Sequence, residues 1–179
     1  MTQQALAAAA LAWHDFFLAA AGATAALLGL LFVGVSINLA ALAAEERVDL
    51  RARAGQAFAN LTFVLVIALI MLIPDPDPKL MGISLGLVAG LGLYRVGQNV
   101  VSVVRGWRLF RNKRTTARRI AWTVIADLIL ASVAWRIWAD ADATAIGNLI
   151  AVVLVLLIGA ADIAWEMLVQ VSRERADDS

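Results

Sequence analysis

Five apolar stretches, each long enough to cross a bilayer, constrain this chain more than any other feature. A hydrocarbon core of about 30 Å needs roughly 20 apolar residues in helical form. The stretches run from about Phe16 to Leu42, Ala57 to Ile73, Leu80 to Val104, Ile120 to Trp138 and Ala145 to Val171. Backbone amides in lipid must be satisfied within their own segment, which favours helices. Membrane-spanning strands would instead show alternating segments of about 10 residues, whereas these runs are longer and apolar all round. The expected fold is all-α: one integral membrane domain of five transmembrane helices over residues 1–179.

Composition excludes the main alternatives. Of the residues, 62% are hydrophobic and 16% charged, against about 45–50% and about 25% in a soluble domain. There are no cysteines and one histidine, so disulfides, thiolate metal sites and a multi-His metal centre within one chain are excluded. No HExxH, phosphate-binding glycine loop or nucleophile elbow occurs. No cofactor, metal or enzymatic activity is expected.

The links set the topology. Pro74-Asp75-Pro76-Asp77-Pro78 is a short, stiff connection, and Ala139-Asp140-Ala141-Asp142 is a short acidic one. Spans two and three, and spans four and five, are therefore expected to be antiparallel neighbours. Basic residues number 3, 1, 7, 0 and 2 along the successive links and tail. The positive-inside rule then puts the N-terminus outside and the C-terminus in the cytoplasm of a bacterial inner-membrane protein. The N-terminus has no positive region before the apolar run, unlike a secretory signal, and Ala5 to Trp13 reads as a short interfacial helix. Trp13, Phe16, Phe17, Trp135 and Trp138 are expected at the outer boundary, and Trp107 and Trp122 at the inner one.

Charges inside the spans are the candidate functional residues. Arg95, Asp127 and Asp162 fall at a similar depth on spans three, four and five, roughly 10–14 Å from the inner boundary. Each would cost at least about 2.5–3.5 kcal/mol facing lipid, so a common interior is expected, with Arg95 as counter-charge. Glu166 lies four residues after Asp162, on the same helix face. Ser36, Asn38, Asn60, Thr62, Gln98 and Asn99 lie in the same inner half. The set reads either as a buried network fixing helix register or as a cation or proton path.

Small residues form a second pattern. Gly82, Gly86 and Gly90 repeat every four residues on span three, with Gly97 beyond. Gly22, Gly29 and Ser36 repeat every seven on span one. Such stripes allow close helix approach, within one subunit or between subunits of a homo-oligomer.

Arg105, Arg108, Arg111 and Arg114 recur every three residues, but they follow a complete span and sit beside Lys113, Arg118 and Arg119. They read as a basic cytoplasmic loop, 105–119, touching anionic headgroups, rather than as a voltage sensor or a nucleic-acid site. His14-Asp15 has no accompanying nucleophile and reads as an interfacial pair at a helix start.

Trp13-His14-Asp15-Phe16-Phe17, Ala21-Gly22-Ala23 and the run Gly29 to Leu39, ending Ser36-Ile37-Asn38-Leu39, resemble a group of small bacterial multi-pass proteins. Some of these are described as modulators of the FtsH membrane protease. The resemblance covers about the first 40 residues and brings no catalytic residue. It implies a regulator that binds a larger membrane protein. Two functions are thus expected: an oligomeric ion channel or ion-translocating protein, or a non-catalytic regulator docking through its glycine stripes and basic loop.

Overall fold

The computed structural model describes residues 3–37, 48–75, 77–105 and 113–177. Among them are six helices: α1 Gln3–Ala12, α2 His14–Ile37, α3 Val48–Met71, α4 Pro78–Arg105, α5 Lys113–Asp140 and α6 Ala145–Asp177. Five contain segments long and apolar enough to span a membrane: His14–Ile37, Ala52–Met71, Pro78–Gln98, Ala121–Asp140 and Ala145–Trp165. The protein is an all-helical, multi-pass membrane protein.

Helix boundaries differ from the apolar stretches in an instructive way. Val48–Gln56 is polar in part, yet it belongs to α3. Lys113–Arg119, read as loop, forms the first turns of α5. Hydropathy marks where lipid contact ends, not where backbone hydrogen bonding ends. Lys, Arg and Ala are good helix formers, and no glycine or proline interrupts 113–119. Residues 106–112 of the basic segment and 38–42 of the first stretch lie outside the described residues.

Helices α3, α6, α5 and α4 pack in that cyclic order, and α2 lies against α3 with slight contact to α6. The most extensive pairing joins α4 and α5, across the long basic segment. Helices α5 and α6, joined by the short acidic link, are also neighbours, while α3 and α4 touch only sparsely despite their short link. Phe17, Val64, Ile67, Leu85, Leu130, Val133, Ile137 and Leu149 are fully buried between helices. Leu6 and Ala10 of α1 join the same core. Leu30, Phe32, Leu80, Leu87 and Ile158 are exposed on the outside of the bundle, as lipid contact requires.

Glycine explains the α4–α5 pairing. A Cβ on Gly82 would lie 2.6 Å from Cβ of Trp138 and 2.9 Å from the Ala134 carbonyl oxygen. Both belong to or sit on the α5 backbone, so neither can move aside. At Gly86 a Cβ would meet Ala134 at an ordinary 3.9 Å, and at Gly90 it would meet nothing within 4 Å. A four-residue repeat turns by about 40° per step on a helix of 3.6 residues per turn, so the stripe rotates off the interface by Gly90. Gly22 and Gly29 on α2 likewise face open space.

The two short links are capped by aspartates. Asp77 precedes Pro78 and accepts from the Lys79 amide at 3.3 Å, while its carbonyl accepts the Met81 amide at 2.9 Å. Proline at the first helical position loses no helical hydrogen bond. At the other link, Ala141 adopts φ 49° and donates to the Ile137 carbonyl at 3.0 Å, ending α5. Asp142 then caps α6: its Oδ1 accepts from the Thr144 amide at 2.9 Å and the Thr144 hydroxyl at 2.7 Å. Arg136 of α5 reaches over the link, with Nε donating to Asp142 Oδ2 at 3.0 Å and Nη2 donating to Thr144 Oγ1 at 2.9 Å.

Two outcomes follow. Gly82→Ala should lower unfolding free energy by about 1–3 kcal/mol through overpacking, whereas Gly90→Ala should be neutral or slightly stabilising. Thermal unfolding in detergent distinguishes them. The Thr144 side chain and amide, with Arg136, hold the Asp142 carboxyl below its ordinary 3.8. A depressed carboxyl contributes stability fully above its unfolded value and loses it as pH falls through the folded one. Acidification below 3.8 should therefore destabilise the wild type more than Asp142→Asn, whose amide does not titrate. Melting curves of both proteins across that range give the comparison.

Candidate functional site

Where α3 and α4 pack sparsely, a cleft of about 240 Å³ opens between the N-terminal half of α3 and the C-terminal half of α4. Gln56, Asn60 and Phe63 line it from α3, at a spacing that places them on one helix face. Gly92, Arg95 and Gln98 line it from α4, and Thr123 from α5. Thr123 lies one turn before Asp127, on the same face of α5.

Asp127 is 2% exposed. Its carboxylate rests on the α4 backbone at Gly92, where an added Cβ would lie 2.7 Å from Cγ and 2.8 Å from Oδ2. No larger residue fits there without displacing the acid. The Oδ2 atom is buried and has no hydrogen-bond partner among the described residues. Leaving a buried polar group unsatisfied costs about 1–3 kcal/mol, so this atom calls for a functional explanation. Oγ1 of Thr24 on α2 is also buried without a partner among the described residues. A hydroxyl is neutral and costs less to bury.

The other candidates are distributed differently. Arg95 is one turn along α4 from Gly92, and its side chain is exposed at the cleft. Among the described residues it forms no ion pair, with Asp127 or any other carboxylate. Asp162 is exposed on α6 and does not line the cleft. Gly92 thus lines the cleft with Arg95 and carries Asp127 against it, while Asp162 does not line the cleft. Asn60 is buried and faces α6, its Nδ2 3.5 Å from where a Cβ on Gly159 would lie. Ser36 is exposed on α2 and donates to the Phe32 carbonyl at 2.8 Å. Thr62 donates to the Phe58 carbonyl at 2.8 Å, and Gln98 Nε2 to the Tyr94 hydroxyl at 2.6 Å. Asn38 and the side chains of Asn99 and Glu166 lie outside the described residues.

Sequence reasoning missed Gln56, Thr123 and Gly92. The first two were recoverable, because each lies four residues before a candidate, Asn60 or Asp127, on the same face. Gly92 was hidden because it stands outside the Gly82-Gly86-Gly90 repeat. Among the described residues no cluster of His, Asp and Glu is arranged to hold a metal. Comparison with protein families, curated proteins and solved structures finds no match.

Gly92→Ala should destabilise the protein by about 1–3 kcal/mol, and the penalty should largely vanish in an Asp127→Ala background. A double-mutant cycle by thermal unfolding reads this coupling, expected at about 0.5–3 kcal/mol. Equal penalties in both backgrounds would show that the carboxylate does not rest on Gly92.

Proposed function

We propose that the protein is a small ion-translocating membrane protein in which Asp127 carries the ion, with protons favoured. The observation that supports this most directly is the buried Asp127 Oδ2 without a partner among the described residues, beside a polar cleft. Ionisable groups inside spans commonly mark ion pathways or proton relays. Arg95 stands in the same cleft, and its charge repels metal cations more strongly than it hinders transfer of a proton between hydrogen-bonded groups.

The charge distribution of the links turns the cleft toward the cytoplasm, with the N-terminus outside. Gln56, Asn60 and Thr123 supply polar wall on that side. Beyond Asp127 the interior is apolar, with Leu85, Leu130, Ile67 and Leu149 fully buried. Transfer across that layer requires either motion of the helices or a second copy of the chain. Exposed Asp162 favours the second copy, since a charge facing lipid is costly.

A second reading is a regulator docking on a larger membrane protein such as a membrane protease. Gly22 and Gly29 support it, because they leave a small-residue face of α2 uncovered.

Proton flux into proteoliposomes separates the two. The wild type should conduct, and Asp127→Asn should lose at least about ten-fold of the flux, equal to about 1.4 kcal/mol in the barrier, with melting temperature and oligomeric state retained. A folded wild type that carries no H⁺, K⁺, Na⁺ or Cl⁻ overturns this function. Co-purification with a larger membrane protein then becomes the deciding measurement for the regulator.

A further inference from the structure

We infer that the cleft between α3 and α4 binds a phosphate oxyanion on the Arg95 guanidinium, supplied by the headgroup of an anionic phospholipid. This site is independent of whether Asp127 carries protons.

The argument begins with the charge balance of the cleft. Among the described residues that line it, Arg95 is the charged one, and the other polar walls are the neutral Gln56, Asn60, Gln98 and Thr123. Asp127 lies against Gly92 and forms no ion pair with Arg95 among the described residues. Asp162 is exposed on α6, away from the lining. A guanidinium inside an apolar span requires a counter-charge or water, and an anion meets that need with less desolvation left over. The planar fork of arginine matches two oxygens of a phosphate.

Size and surroundings agree. The volume of about 240 Å³ is that of roughly eight waters at about 30 Å³ each, enough for a phosphate group. The Gln56 amide provides N–H donors along the opposite wall. Leu91 and Leu87 lie one and two turns from Arg95 on α4, with Leu80 two further turns away, and they are 59%, 66% and 65% exposed. They form an apolar strip leading from the cleft toward the opposite end of the bundle. A phosphate on Arg95 would therefore leave an acyl chain to lie along that strip, which points to a lipid rather than free phosphate. The site is distinct from surface contact between headgroups and the basic segment 105–119, because it is lined by three helices.

The test uses the full chain in neutral detergent, titrated at constant ionic strength with phosphatidylglycerol, phosphatidylcholine or inorganic phosphate. Thermal stability and native mass spectrometry report binding. Phosphatidylglycerol should raise the melting temperature of the wild type by several degrees, while phosphatidylcholine should not. Arg95→Gln should weaken the phosphatidylglycerol effect at least ten-fold, and Arg108→Gln in the basic segment should leave it unchanged. Gln56→Leu, which removes a donor and keeps Arg95, should weaken it several-fold and serves if Arg95→Gln fails to fold. An equal, Arg95-dependent effect of inorganic phosphate would support the oxyanion site and overturn the lipid as its source. No stabilisation of the wild type by either phosphate compound overturns the proposal. So does a lipid effect that is unchanged in both Arg95→Gln and Gln56→Leu.

Discussion

The close approach of α4 to α5 governs the arrangement of the bundle. In lipid there is no hydrophobic drive to bring helices together, so association relies on contact surfaces and on polar groups. Gly82 lets the α5 backbone at Ala134 and Trp138 come within a distance that any side chain would block. Ten residues further along α4, Gly92 does the same for the carboxylate of Asp127. On a rise of 1.5 Å per residue these two points are about 15 Å apart. Two contacts so separated fix both the distance and the rotation of the pair. Asp127 is consequently held in the interface, and its burial is a result of where the glycines stand.

The bundle has unlike ends. One is tied by two capped links, with Arg136, Asp142 and Thr144 bonded across α5 and α6. At the other, α3 and α4 touch little and leave a polar cleft. Packing α4 closely on α5 leaves it little contact with α3. The cleft thus arises from the same glycines that seat Asp127, which is why Arg95, Gly92 and Thr123 come together beside the buried acid.

Much of the fold was legible in the sequence because lipid imposes a single local requirement. Long apolar runs had to be helices, and five of them are. Proline and aspartate in the two links marked where the helices break. Partner choice was less legible. The short link made α3 and α4 expected neighbours, which they are, yet α4 packs far more closely on α5. Link length restricts which helices can be neighbours but supplies no contact energy. The i+4 glycine repeat pointed to an interface, and only Gly82 and, more loosely, Gly86 serve it. Equal depth of Arg95, Asp127 and Asp162 followed from counting residues, whereas their rotation about each helix depends on packing. That rotation buries Asp127 and exposes Asp162.

Which polar residues in a span deserve attention depends on what a single helix can satisfy. Ser36, Thr62 and Ser132 each donate to a carbonyl three or four residues back, at 2.7–2.8 Å. Such a hydroxyl needs no partner helix and can face lipid at little cost. Buried Thr24 can reach a carbonyl of its own helix by rotating about one bond. Charged groups have no such option. A carboxylate has no proton to donate to a carbonyl, and the helix interior has no free amide for it to accept from. A guanidinium has more donors than one helix can meet. Arg95, Asp127 and Asp162 are charged residues deep within the spans, and their needs must be met from outside their own helix, by another helix, another molecule or water. Asp127 has found a place but, among the described residues, no partner for one oxygen, and Arg95 lines a space of the right size for one. Those two requirements, both arising near Gly92, set this cleft apart from the hydroxyl-bearing positions elsewhere in the spans.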